Sequence, residues 1–236
     1  YSTEAADNAL LDGDARSRLA SVATDCAVSN HLDGVHLEFG AINEKHLDAI
    51  SELACEIRAR FSRLSPWYTI SISVPSGWRE GPFDLARAAQ CADMLVVEGF
   101  QRGSYGPPGP PTDLAWLEQQ ASYALEDVGR TKLCVALGAY GLDWGDYDRA
   151  GFLTVEGAQA IAANTGSNVQ RDPAHGGPFF QYIDTIGRSH SVWYEDAASI
   201  LLKLSLLDSL GVRRVGLWRL GNMCKEILSV VSQAVV

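Results

Sequence analysis

Residues 32–40 read LDGVHLEFG. In an extended chain successive side chains point to opposite faces. Val35, Leu37 and Phe39 therefore share one side of a strand, and His36, Glu38 and Gly40 the other. The apolar side packs on a hydrophobic layer, and helices supply one. The second side carries an imidazole, a carboxylate and bare backbone, a pattern that suits a cleft, although an edge strand with one solvated face gives the same alternation. Asp33-Gly34 forms the turn into the strand, with the Asp33 side chain expected to bond turn amides.

Outward from this strand the same reading repeats. Residues 14–28 place Leu19, Val22, Ala23 and Cys26 at helical spacing, while residues 1–9 are polar and expected to be loose. After Gly40, Asn43 is a candidate helix cap with Glu44 just inside, and Leu47, Ile50, Leu53, Ala54, Ile57, Phe61 and Leu64 continue as a long amphipathic helix ended by Ser65-Pro66. Thr69 to Val74 alternates: Ile70, Ile72 and Val74 face one way, Thr69, Ser71 and Ser73 the other. A turn at residues 75–77 precedes a short helix over 83–92. Asp93 to Phe100 is an apolar run suited to a parallel strand, ending in Glu98-Gly99. A Gly/Pro-rich loop follows over 101–111. Thr112 or Asp113 caps a helix through Val128, and residues 132–139 form another buried strand. Residues 145–195 break this rhythm with one helix (154–164) and three short strands (168–171, 179–183, 191–194), an expected α+β insertion. A helix from Asp196 to Leu210, a strand over 214–220 and a helix over 224–235 complete the chain. Alternating strands and helices predict a parallel sheet with right-handed crossovers.

The chain has 236 residues, 47% of them hydrophobic and 20% charged, enough for one sizeable core. A formal charge of -10 argues against a nucleic-acid partner, which needs clustered Lys and Arg, and favours a neutral polysaccharide or small molecule. No apolar run reaches the roughly 18 residues of a membrane span. Tyr1 opens the sequence without an initiator Met or signal-type segment, so a piece of a longer or processed protein is expected. The five cysteines (26, 55, 91, 134 and 224) include no C-x-x-C pair. They signal neither a disulfide framework nor a zinc site, and are expected to be small buried hydrophobes.

Several motifs together resemble glycoside hydrolase family 18, the chitinase family, in its bacterial branch of spore-cortex-lytic and peptidoglycan hydrolases. That family has a strand of pattern D-G-x-D-x-D-x-E, whose last Glu is the general acid. Asp33 and Gly34 match it. His36 stands at the next Asp, Glu38 at the middle Asp and Gly40 at the catalytic Glu. YGPPGP (105–110) resembles the loop after the family's sixth strand, YGLDW (140–144) the end of its seventh, WYED (193–196) the end of its insertion and LWRLG (217–221) its eighth strand. The resemblance implies a (β/α)8 barrel with its site at the carboxyl ends of the strands. Only counterparts of the fourth to eighth strands are present, in one domain over 1–236 or the C-terminal part of one, and five strands cannot close an eight-stranded barrel.

In the family the substrate's N-acetyl oxygen attacks the anomeric carbon, an exception to the two-carboxylate scheme. By the resemblance, Trp218 matches the aromatic floor under the sugar and Glu38 the residue that orients the acetamide. Tyr140 and Asp143 fall among substrate contacts, and His36 is either a ligand contact or a satisfied interior histidine. Gly40 has no proton to give, and the strand-six Tyr-Asp pair reads Glu98-Gly99. The implied partner is a GlcNAc-containing polysaccharide, bound without hydrolysis in an extracytoplasmic or cell-envelope setting, with no cofactor or metal. Two alternatives stand beside this. Glu38 and Glu98 can be a catalytic carboxylate pair, about 5–5.5 Å apart for retention or about 6.5–9.5 Å for inversion. Or the chain is an interaction module that binds no sugar.

Overall fold

The computed structural model describes residues 3–39, 47–75, 78–80, 83–100, 106–145 and 149–234. Gly40, the Asn43 cap and the turn at Ser76-Gly77 lie outside them. The chain forms two compact units, residues 1–98 with 123–134, and residues 99–122 with 135–236.

The first unit opens with helix α1 (Thr3–Leu10), followed by α2 (Gly13–Ser29), strand β1 (Gly34–Leu37), α3 (Leu47–Leu64), β2 (Thr69–Val74), α4 (Leu85–Cys91) and β3 (Met94–Glu98). The opening residues are thus helical where a loose segment was expected. Leu10 is fully buried and anchors the helix. Asp12 caps α2 by accepting from the Ala15 N–H at 2.7 Å, and Asp84 caps α4 by accepting from the Arg87 N–H at 2.9 Å. On α3 the expected stripe is realised: Ile50, Leu53, Ala54, Ile57 and Phe61 have no exposed surface.

β1 pairs with β2 and β2 with β3, both in parallel, with His36 opposite Ser71 and Ser73 opposite Val96. Ile70, Ile72, Val74, Leu95 and Val97 are all fully buried on one face. The other face carries His36, Ser71 and Ser73. Gly34 is required where β1 begins, because a Cβ there would sit 2.0 Å from the Thr69 carbonyl oxygen. Asp33 contributes its main-chain carbonyl, which accepts from the Thr69 N–H at 2.9 Å. Its exposed carboxylate takes no hydrogen bond among the described residues, so the expected bonding of turn amides by that side chain is not realised.

The cysteine expectation is corrected. Cys55 on α3 and Cys91 at the end of α4 form a disulfide, and Cys26 is exposed; Cys134 and Cys224 are buried thiols outside any disulfide. The paired cysteines lie 36 residues apart in sequence and are brought together by tertiary packing, which no local motif signals.

Helix α5 (Leu114–Val128) is capped by Asp113, which accepts from the Trp116 N–H at 2.8 Å, and it leads to β4 (Leu133–Gly138), buried throughout. The remaining elements are β5 (Gly141–Trp144), β6 (Gly151–Leu153), α6 (Val155–Thr165), β7 (Gln170–Arg171), β8 (Pro178–Ile183), β9 (Ser189–Tyr194), α7 (Ala197–Leu210), β10 (Val215–Trp218) and α8 (Lys225–Ala234). The parallel sheet runs β1-β2-β3-β4-β10, with β10 parallel to β4 and Trp218 opposite Gly138. This is an incomplete TIM-type barrel, five parallel strands with helical crossovers.

The second sheet is antiparallel, in the order β6-β5-β9-β8-β7. It includes β5, whose residues 141–144 precede the expected insertion boundary, and β6, which the sequence pattern did not disclose. At its end Glu195 and Asp196 of the WYED motif are structural. Asp196 caps α7 in a reciprocal bond with Ser199, and the buried Glu195 carboxylate accepts from Lys203 Nζ at 2.8 and 2.6 Å and from Ser199 Oγ at 2.6 Å.

Candidate functional site

The polar face of the first unit gathers at the carboxyl ends of β1, β2 and β3. His36 is held by two serines of β2: Nδ1 lies 2.8 Å from Ser71 Oγ and Nε2 3.1 Å from Ser73 Oγ. Its side chain is partly covered, with 42% of its surface exposed. The Glu38 carboxylate lies 3.8 Å from His36 Nε2. Burial lowers the affinity of the imidazole for its proton, and the neighbouring Glu38 partly offsets this. Strand alternation from Ser73 and its partner Val96 places Glu98 on this same face, where it is 4% exposed. His36, Glu38 and Glu98 are thus on one side of one sheet, as the alternation predicts.

The second unit carries an aromatic cluster of its own. Trp218 ends β10, and the Trp218-Arg219 peptide is cis. The indole stacks on Phe100 with centroids 5.3 Å apart and meets Tyr140 and Phe152 edge-on at 5.5 and 6.0 Å. Phe100 and Tyr140 are buried and Trp218 is half-buried. Gly138 makes room for this cluster, since a Cβ there would lie 2.5 Å from Tyr140 Cε1 and 3.0 Å from Phe100 Cβ. Trp218, Arg219, Phe152, Leu153, Thr154 and Asn222 line a cavity of about 430 Å³. Phe152 was not among the residues singled out from sequence; its strand is three residues long and lies in the irregular stretch.

Asp143 projects from β5 with both carboxylate oxygens engaged. Tyr182 Oη donates to Oδ2 at 2.9 Å, and His190 Nδ1 lies 2.8 Å from Oδ1. Burial, then the bond to Asp143, pushes the Tyr182 hydroxyl up to about 12. Tyr182 stacks on His190 with centroids 4.6 Å apart. The ring-nitrogen and hydroxyl pairing of these two residues is legible only once β8 and β9 are in register. Among the described residues no three His, Cys, Asp or Glu side chains are grouped to hold a metal ion.

The sequence profile of glycosyl hydrolases family 18 matches residues 3–222. This chain belongs to that family. A relative in Bacillus subtilis (strain 168), the cortical fragment-lytic enzyme, is 27% identical over 237 residues, covering 94% of this chain and 54% of that protein. The chain spans about half the length of the curated relatives of this kind that it matches. Among solved structures, the Bacillus cereus spore cortex-lytic enzyme SleL superposes with a TM-score of 0.88 at 20% identity, over 100% of this chain and 56% of that one. A chitinase from Chromobacterium violaceum superposes with a TM-score of 0.85 at 25% identity, over 95% and 73%. The family 18 membership accounts for the parallel strand order of the first sheet.

Proposed function

We propose that this family 18 domain binds a GlcNAc-containing glycan, of chitin or peptidoglycan type, without cleaving it. One observation carries the reading: Gly40 stands at the motif position of the proton-donating Glu. Loss of a general acid removes roughly 10²- to 10⁴-fold in rate, about 3–5 kcal/mol of barrier. What the chain retains is a half-buried indole beside a cavity, a surface on which the apolar face of a pyranose can lie while polar groups meet its rim. Similarity to a cortical fragment-lytic enzyme and a chitinase supports the glycan class. The Cys55–Cys91 disulfide favours an oxidising, extracytoplasmic setting. Among the described residues no helix is long and apolar enough to cross a membrane.

Calorimetric titration with short GlcNAc oligomers tests the proposal. Binding is expected, with Trp218→Ala removing it and no reducing ends released. Absence of heat with every oligomer refutes binding. A second reading, hydrolysis by a Glu38–Glu98 pair, is favoured by their shared sheet face; reducing ends that disappear in Glu38→Gln would replace the first reading with this one.

A further inference from the structure

A cavity of about 430 Å³ lies between the second half of α6 and β9, lined by Gln159, Ala162, Ala163, Gly166, Val169 and Tyr194 together with Ser167. Gly166 is the left-handed cap of α6, and a Cβ there would meet nothing within 4 Å, so the mouth is open at this turn. Tyr194 is 6% exposed, and what surface it keeps lines the cavity. Its ring meets Phe180 edge-on, with centroids 6.3 Å apart, and lies against Gly141, where a Cβ would sit 3.0 Å from Tyr194 Cβ. The Tyr194 hydroxyl makes no hydrogen bond among the described residues. A polar group so deeply covered and without a partner in its own chain calls for one from outside. Burial, then the neighbouring Asp196, raises the proton affinity of this phenol, so it remains a hydroxyl near neutral pH. The exposed Gln159 carboxamide is also uncommitted among the described residues, whereas Ser167 Oγ lies 2.7 Å from Thr165 Oγ.

The lining carries no charged side chain, so an ion finds no counter-charge there. Arg171 and Asp196, whose charges act on the phenol, are paired with each other. No ring face is open, so a pyranose finds no platform. A phenol and a carboxamide each donate and accept. Together they match a secondary amide, whose carbonyl takes the phenol O–H and whose N–H meets the Gln159 oxygen. The remaining walls, Ala162, Ala163 and Val169, are small and apolar and leave room for short side chains. From Val169 the chain runs directly into β7, the last strand of its sheet. Among the described residues no strand pairs with the outer side of β7, and an extended peptide can add there through its main chain.

We infer that the Tyr194–Gln159 cavity is a peptide-binding site that takes an extended segment of small apolar residues, one of whose peptide bonds is held by the phenol and the carboxamide. It stands independently of glycan binding at Trp218. The probe is N-acetyl-trialanine amide, titrated into the isotope-labelled intact chain. The backbone amide resonances of Gly166 and Val169 are expected to shift with the peptide and to stay in place with acetate or butylammonium. Tyr194→Phe deletes only the hydroxyl and is expected to weaken binding about fivefold, the worth of one net hydrogen bond, at an unchanged thermal midpoint. Ala163→Phe, at an exposed position of α6, fills the cavity and is expected to abolish binding. Neither variant is expected to alter the response to GlcNAc oligomers. No shift with the peptide, a peptide affinity unchanged in both variants, or a larger response of the same amides to acetate, butylammonium or GlcNAc oligomers overturns the site.

Discussion

Phe100 lies against one face of the Trp218 indole, nearly parallel to it, with centroids 5.3 Å apart and an interplanar angle of 25°. The Arg219 guanidinium also lies over this ring, its Cζ 5.5 Å from the centroid, so Phe100 is one of the contacts that set the plane of the indole. Tyr140 and Phe152 complete the support at the ring edge. Phe100→Leu keeps an apolar filler but removes the stack, a contact worth about 1 kcal/mol. Affinity for GlcNAc oligomers is expected to fall roughly fivefold with little change in thermal midpoint, measured by calorimetry beside differential scanning. Unaltered affinity would mean that the indole plane is set by other contacts.

The Cys55–Cys91 bridge closes a 36-residue separation that contains most of α3, all of β2 and α4. Restricting the unfolded chain over a loop of that length stabilises the fold by about 4 kcal/mol in the chain-entropy account. Cys55→Ser/Cys91→Ser is expected to lower the urea-unfolding free energy by that order, and a reducing agent to produce the same shift in the wild-type protein. The double variant is the cleaner measurement, because it separates the bridge from any effect of reductant on the free thiols.

Lys203 and Glu195 form an ion pair with side chains only 1% exposed each. Removing one partner strands the other charge without water, which costs about 3–5 kcal/mol. Lys203→Met is therefore expected to lower stability by that amount, and Lys203→Met/Glu195→Gln to recover a large part of it, since Ser199 Oγ can still bond the neutral amide. Denaturation midpoints of the single and double variants measure the coupling directly.

Legibility in the sequence follows the range of the interactions involved. Alternation at Ile70, Ile72 and Val74, and the stripe from Ile50 to Phe61, are local periodicities, and each fixes a face without reference to the rest of the chain. Trp218 and Glu38 are singled out by motifs of adjacent residues, through resemblance and not through periodicity. The Cys55–Cys91 bond, the Phe152 contact with Trp218 and the Asp143–His190–Tyr182 group depend on register between segments that no short pattern connects. Helix α1 was missed for a different reason. Its sequence, TEAADNAL, is polar by composition but has two adjacent alanines, good helix formers, and ends in a leucine that packs in the core.

Partial burial of His36 makes the polar face of β1 sensitive to pH. Burial lowers the proton affinity of this imidazole in the folded chain, while Glu38, 3.8 Å away, works in the opposite direction. With the folded value below the ordinary 6.5, the unfolded chain binds more protons in the range around and just below that pH. Stability therefore rises with pH through this window, is fully present above 6.5 and declines as pH falls. His36→Gln, which can still bond Ser71 or Ser73, is expected to flatten that dependence. Glu38→Gln removes the opposing charge, depresses the imidazole further and is expected to steepen it. Denaturation midpoints taken at about pH 5.5, 6.5 and 7.5, spanning the ordinary histidine range, distinguish the three proteins. Identical slopes in all three would show that the imidazole does not titrate in contact with this face.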